Sequence, residues 1–402
     1  MTKILVVISK FLPEYSGAAT RISQLYKRLT ATRPDLDVSF LCNSTSIDKS
    51  SQFEVDTLNI TRISVPNYYR KLFSAFPDRL ENAIITWIES YLSWREIKKT
   101  HPDVVHIIGT SGATIAANYW ANKKNIPRLI ELVTSEASAF QYLPGLRYDL
   151  RLNRNTAVIA ISAQLAEKCR QQGLTGQTWH RPNPVDNKRF FPEPLKRLNY
   201  REMLGPYQSK DILLCMVAKF MPQKNQLFLL EVLALLPRHY KLLLAGPIVD
   251  DGHLAKRDQT WLKSIQARAE KSDIYGRVSI KTGFVDTAVY IKASDIYLLP
   301  NKNEGLGTPM LEAIACGVPV VANGEEPAFQ EWITDNSTGR LCKMSPRDWA
   351  KTIIAISKFD HYSPRSHKIH EICNLEVHDK NYLRLLDTLV KRPGYIDIKH
   401  IL

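Results

Sequence analysis

The chain has 402 residues, with 54 Lys and Arg against 40 Asp and Glu, a formal charge of +14. With 44% hydrophobic and 23% charged residues it is an ordinary globular mixture, long enough for two domains, and disordered, collagen-like and coiled-coil chains are excluded. No apolar run reaches the ~20 residues that cross a bilayer, residues 4–8 are too short for a secretory leader, and the six cysteines show no C-x-x-C spacing, so a cytoplasmic protein with buried thiols is expected.

Short runs of Val, Ile and Leu alternate with amphipathic stretches of helical length, the pattern of a parallel sheet covered on both faces. Residues 4–8 predict a buried strand, 9–17 a loop holding Pro13 and Gly17, and 20–30 a helix with Ile22, Leu25, Tyr26 and Leu29 on one face. Asp35-Leu36-Asp37 imitates a metal-binding Asp-x-Asp pair but sits directly before the apolar strand 38–42 and reads as a turn. Residues 67–99 mix aromatic and basic side chains, among them Trp87, Tyr91, Trp94, Arg95 and Lys98. They suit either docking on anionic lipid headgroups or two helices that pack their aromatics inwards. Another strand is predicted at 104–108, where His106 reads as a core residue rather than a catalyst.

Residues 181–194 carry four prolines, which disfavour helix and central strand alike, and read as an interdomain connection. After about residue 210 the alternation starts afresh, with strands at 212–217, 241–245, 278–280, 296–300 and 318–322. The expectation is an α/β chain of two Rossmann-like, doubly wound domains, 1–190 and 205–380, facing each other across a cleft. A C-terminal helix from about 380 is expected to pack back on the first. Ligands in open parallel sheets bind beyond the carboxyl ends of the strands.

The segment 294–322 carries the chemistry. A strand ends at Pro300, a loop holds Glu304, Gly305, Leu306 and Gly307, and a helix starts near Thr308 or Pro309. Two glycines let backbone N–H groups approach an anion, and the helix N-terminus adds unpaired donors and the positive end of its dipole. Glu312 follows Glu304 by eight residues, one turn into the helix. There it suits either sugar hydroxyls beside a phosphate or simple complementation of the helix dipole, just as Glu304 suits either a ligand or solvent.

These residues resemble the signature of glycosyltransferase family 4, retaining enzymes of the two-domain GT-B fold. That signature is a Glu, seven residues, a second Glu, then Ala and Cys-Gly-Val-Pro-Val-Val, matched at 304–322. The family's Gly-Arg-Leu-x-Pro-x-Lys-Gly segment is matched at 218–225, with Lys219 where the family usually has Arg, a point charge for a bidentate fork. Its Pro-Asn-Gly-Val-Asp linker is matched at 182–186, with Pro184 in place of the glycine, and its N-terminal glycine loop at 12–19, with Ser16-Gly17 in place of a glycine pair. Many members carry a His after a middle strand of the first domain; 126–136 has none, leaving Glu131, Thr134 or Glu136 as candidates.

The resemblance implies a retaining, metal-independent transferase that moves a sugar from a nucleoside diphosphate sugar to a glycan, lipid-linked or protein acceptor, with no cofactor. It implies that Lys219 and Lys224 hold the diphosphate together with the backbone of Gly305, Leu306, Gly307 and Thr308. By the same resemblance Glu312 binds the ribose, Glu304 contacts the sugar, Gly17 marks a loop closing on the sugar, and Phe284 and Val285 flank the base. A same-fold epimerase, a phosphorylase and an inactive nucleotide-sugar or membrane-binding protein are the alternatives. Dinucleotide, Walker A and nucleophile-elbow motifs are missing, and no recognition motif supports nucleic-acid binding. Residues 1–190 hold 25 Lys and Arg against 16 Asp and Glu, so +9 of the +14 lies in the expected acceptor domain, where an anionic membrane is a possible partner.

Overall fold

A computed structural model of the chain describes all residues except 13, 15, 45, 46, 48, 75, 134–154, 249–254, 335–337, 359–365, 392–395 and 402, and the side chains of 70, 78, 366, 399 and 400. Two compact units result, one of Met1–Arg181 and Glu376–Leu402, the other of Pro182–Leu375.

The first unit runs β1 (Thr2–Ile8), α1 (Gly17–Thr32), β2 (Leu36–Ser44), β3 (Ser51–Val55), β4 (Leu58–Ser64), α2 (Asn67–Phe73), α3 (Asp78–Thr100), β5 (Val104–Ile108), α4 (Gly112–Lys123), β6 (Arg128–Leu132), β7 (Thr156–Ala160), α5 (Ala163–Gln171) and β8 (Thr178–His180). Its sheet has the order β3-β4-β2-β1-β5-β6-β7-β8, parallel except for the β3–β4 pair at one edge. β5, β6 and β7 are buried along their whole length, so their sequences do not alternate, and the polar residues they hold, His106, Arg128 and Glu131, are buried with partners. Ser16 caps α1 by accepting the Ala19 N–H at 3.3 Å, and the predicted face of Ile22, Leu25, Tyr26 and Leu29 is buried.

The second unit runs α6 (Arg197–Leu204), β9 (Ile212–Val217), α7 (Gln226–Ala234), β10 (Tyr240–Gly246), α8 (Ala255–Ala269), β11 (Val278–Thr282), α9 (Thr287–Ala293), β12 (Ile296–Leu299), α10 (Thr308–Ala315), β13 (Val320–Asn323), α11 (Pro327–Gln330), β14 (Gly339–Cys342), α12 (Pro346–Ile356) and α13 (Ser366–Ile372). Its sheet is wholly parallel in the order β11-β10-β9-β12-β13-β14. The order reverses between β9 and β12, and that switch point is where a doubly wound sheet leaves room for a ligand.

Two helices close the chain, α14 (Leu375–Lys391) and α15 (Ile398–Ile401). α14 sets Tyr382, Leu385, Leu386 and Leu389 into the core of the first unit. Such side chains contribute about 1.5 to 3 kcal/mol each on burial. The proline-rich connection belongs to the second unit from residue 182 onwards, so the division falls at 181 rather than 190. The reason is local pairing: Val185 bridges Asn374, its N–H donates to the Cys373 carbonyl at 2.9 Å, and Phe190 is buried. All six cysteines are buried. Among the described residues no helix is long and apolar enough to cross a membrane, and no cluster of three or more His, Cys, Asp or Glu is placed to hold a metal.

Candidate functional site

The loops after β9 and β12, on either side of the switch point in the second unit, carry Lys219, Lys224 and Glu304. Lys224 Nζ makes an ion pair with Glu304 Oε1, and the Asn301 side-chain amide donates to the same oxygen at 2.8 Å. Lys219 Nζ lies 3.2 Å from Oδ2 of Asp258, a fully buried carboxylate in the first turn of α8 that also takes the Arg257 guanidinium at 2.7 Å. The Lys219 carbonyl accepts the Gln226 amide at 2.9 Å, and Gln226 in turn accepts the Trp261 indole N–H at 2.9 Å. Both lysines are thus held at one end of the sheet by partners from α7, α8 and the β12–α10 loop, not left to sweep through solvent.

Between Asn301 and Gly307 the backbone is shaped for close approach. Asn303 and Gly307 both adopt left-handed φ, at 57° and 78°. A Cβ on Gly307 would lie 2.6 Å from the Phe329 ring, so only glycine fits there. Glu326 accepts the backbone N–H groups of Asn303 and Glu304, and its burial pushes its carboxyl up against those hydrogen bonds. The helix begins at Thr308 as expected, but Gly307 rather than Thr308 is the N-cap of α10, and Pro309 sits inside the first turn. Gly307 has no side chain to cap the first turn, which leaves the positive end of α10 to face the loop. The Thr308 hydroxyl instead accepts the Asn183 amide at 2.7 Å, so the proline-rich connection props the start of α10.

Glu312 is half-buried on α10, and its carboxyl is pushed up to about 7, chiefly by burial. Arg189 lowers it and Asp286 raises it; these two pair with each other at 2.8 Å. Asp286 caps α9 through the Ala288 N–H, and in chain order it follows Gly283, Phe284 and Val285. Phe284 is 70% exposed and Gly283 has φ of 101° with open space where a Cβ would be. Lys219, Lys224, Glu304, Gly305, Leu306, Gly307, Thr308 and Glu312 therefore share the strand ends and first turns around one switch point, and Asp286, just after Phe284 and Val285 in the chain, acts on Glu312. Gly17 belongs to the other unit, where it opens α1 directly after the Ser16 cap.

Sequence reading missed Asp258, Glu326, Arg189 and Asn301. Asp258 has no local signal, because its pairing with Lys219 spans 39 positions. Arg189 lies in the proline-rich connection, past the linker motif, and is legible in sequence as basic but not as a neighbour of Glu312.

In the first unit, Glu131 is buried and pairs with Arg21 at 2.5 Å and with Arg181, while His106 Nε2 lies 3.6 Å away and Tyr382 donates at 3.5 Å. His106 also meets the Tyr26 hydroxyl at 2.8 Å, and burial holds its imidazole below the usual value, hence neutral. This cluster ties α1, β5, β6 and α14 together, a structural use of both His106 and Glu131. Thr134 and Glu136, the other candidates for the missing histidine, lie outside the described residues.

Residues 203–371 match the model of the family "Glycosyl transferases group 1". The chain is 27% identical over 233 residues to the GDP-mannose-dependent alpha-(1-6)-phosphatidylinositol monomannoside mannosyltransferase of Mycolicibacterium smegmatis, covering 55% of this chain and 58% of that protein. It is also 27% identical over 243 residues to the lipopolysaccharide core biosynthesis mannosyltransferase LpsB of Rhizobium meliloti, covering 59% and 64%. The matched stretches thus span less than two thirds of either relative. Among solved structures, Anabaena Alr3699/HepE in complex with UDP and glucose aligns over 96% of this chain and 100% of its own with a TM-score of 0.73 at 17% identity, a likeness of fold.

Proposed function

Because residues 203–371 belong to the glycosyl transferases group 1 family and the chain has the GT-B fold, we propose that it is a retaining, metal-independent glycosyltransferase using a nucleoside diphosphate sugar. The observation that carries this reading is the pairing of Lys224 with Glu304 across the β9–β12 switch point, beside the glycine-capped start of α10. Two anchored lysines and a helix N-terminus meet the charge that develops on a departing diphosphate, the work a divalent ion does elsewhere. Anchoring matters because preplaced cations need no reorganisation as the bond breaks.

In this reading Lys219, Lys224 and the backbone of 305–308 hold the diphosphate, Glu312 accepts the ribose hydroxyls, Phe284 and Val285 flank the base, and Glu304 orients the sugar and Lys224 together. The bond from the anomeric carbon to the β-phosphate oxygen breaks while a bond to the acceptor oxygen forms on the same face. The acceptor proton passes to the departing phosphate, so no side-chain nucleophile is needed. Relatives named for phosphatidylinositol mannoside and lipopolysaccharide core synthesis favour a lipid-linked or surface-glycan acceptor, reached at the cytoplasmic face of the cell membrane.

A thermal-shift panel of UDP-, GDP-, ADP- and dTDP-sugars in chelator tests the donor, since a bound ligand raises stability with the logarithm of its excess over Kd. NMR of the product should show the donor's anomeric configuration kept. Inversion, dependence on added metal, or conversion of the donor without an acceptor contradicts the proposal.

A further inference from the structure

We propose that the outer face of α2 and α3 docks on an anionic lipid bilayer. The inference rests on the glycosyl-transfer reading only for its purpose, which is to bring the first unit to a lipid-linked acceptor.

The physical basis is that α3 carries large apolar side chains on its outer face as well as its inner one. Its buried positions are Ile85, Glu89, Ser90, Ser93 and Ile97, while Leu80, Trp87 and Tyr91 are about half exposed, at 46%, 55% and 49%. An amphipathic helix ordinarily keeps its outer face polar. The cause lies in the neighbouring helix: a Cβ on Gly112, the first residue of α4, would lie 2.3 Å from Glu89 Cβ and 2.8 Å from the Ser90 nitrogen. Only glycine fits at 112, so α4 approaches α3 closely along the face of Thr86, Glu89 and Ser90, and Trp87 and Tyr91 are left outwards.

That outer face is continuous. Trp87, Tyr91, Arg95 and Lys98 follow at spacings of four, four and three residues, one stripe of a helix. Trp87 stacks on Tyr91 with centroids 6.3 Å apart, Tyr91 meets Trp94 at 6.1 Å, and Lys98 Nζ lies 3.4 Å over the Trp94 ring. α2 extends the surface with Tyr68 and Leu72, both more than half exposed, and exposed Phe76 follows it.

Charge selects the occupant. α3 begins with Asp78 and Glu81 at its far end; beyond them its acids are Glu89, which is buried, and Glu96, which pairs with Lys99 at 2.8 Å, so the half with Arg95 and Lys98 is net basic. A second copy would bring its own Arg95 and Lys98 and no counter-charge for them. A plane of phosphate headgroups supplies that charge, accepts Trp and Tyr rings at its boundary, and lets Lys98 lie along an aromatic face with its ammonium outermost.

Cosedimentation of the full chain with phosphatidylcholine vesicles, with and without phosphatidylglycerol, tests this. Binding to the anionic vesicles should exceed binding to the neutral ones by about tenfold or more and fall with salt. Trp87→Ala with Tyr91→Ala, and separately Arg95→Glu with Lys98→Glu, should each lower it by about tenfold. All four side chains are exposed, and circular dichroism confirms that the variants fold. Equal binding to both vesicle types, or undiminished binding by both variants, overturns the proposal. So does a concentration-dependent dimer in gel filtration that the aromatic variant abolishes. Nucleoside diphosphate binding, measured in parallel without vesicles, separates the two ideas: its loss defeats the transferase reading and leaves the docking result standing.

Discussion

Lys219 Nζ and Asp258 Oδ2 lie 3.2 Å apart, and Asp258 is fully buried while Lys219 keeps partial contact with solvent. The two ends of this pair should therefore fail differently. Lys219→Ala leaves Asp258 with Arg257, so stability should change by less than about 1 kcal/mol while nucleoside diphosphate affinity falls about tenfold. Asp258→Asn leaves both cations without a buried counter-charge and should cost about 3 kcal/mol in urea unfolding. Equal destabilisation by both changes contradicts the assignment.

Glu312 gives a pH dependence. Its carboxyl is raised from 4.5 to about 7, chiefly by burial, so between those values the folded chain keeps a proton that the unfolded chain has released. The stability it contributes is complete below 4.5 and is lost as pH rises through about 7. Glu312→Gln, which cannot ionise, should stabilise the ligand-free protein at pH 8 by on the order of 2 kcal/mol. Donor binding should move the other way. An ionised carboxylate is the better acceptor for ribose hydroxyls, so affinity for a nucleoside diphosphate sugar should rise about tenfold from pH 6 to 8 and be flat in the variant. A nucleotide sugar is the right probe, as its phosphates do not titrate in that range.

Gly307 and Gly283 both have positive φ, but a Cβ meets Phe329 at the first and nothing at the second. Gly283→Ala should cost only the backbone penalty, about 1 kcal/mol. Gly307→Ala should cost more and also weaken diphosphate binding, because relieving the clash moves the first turn of α10. Thermal unfolding and calorimetry of the pair check this.

Acid should loosen the first unit at α14. Burial holds the His378 imidazole down at about 3, against the opposing pull of Asp379. Stability from keeping it neutral is present above 6.5 and is lost as pH falls towards 3, roughly 2 kcal/mol by pH 5. His378→Phe, filling the site beside Trp179 and Tyr382, should flatten that part of the profile. Glu131→Gln should destabilise by about 3 to 5 kcal/mol at neutral pH, since Arg21 and Arg181 lose their buried counter-charge.

Much of this was legible in sequence for a physical reason. Buried parallel strands such as 4–8 and 212–217 are unbroken apolar runs, and a glycine-rich loop before Thr308 announces a helix start. The antiparallel β3–β4 edge and the short strands β8 and β14 were not, because they lack such runs. Sequence also placed the aromatics of 87–94 without showing which way they face, since that depends on how α3 packs against α4, whose Gly112 is distant in sequence. Asp258 and Glu326 escaped notice because each acts on a loop distant in sequence.

The central claim is that the second unit binds a diphosphate through Lys224 and the start of α10, with Glu312 on the ribose. Isothermal titration of UDP and GDP in chelator, against the wild type, Lys224→Ala and Glu312→Gln, tests it most directly. The wild type should bind at least one of the two, Lys224→Ala about tenfold or more weaker, and Glu312→Gln several-fold weaker at pH 8, with thermal unfolding showing all three folded. No binding of either nucleotide by the wild type, or equal affinity in all three proteins, would contradict it.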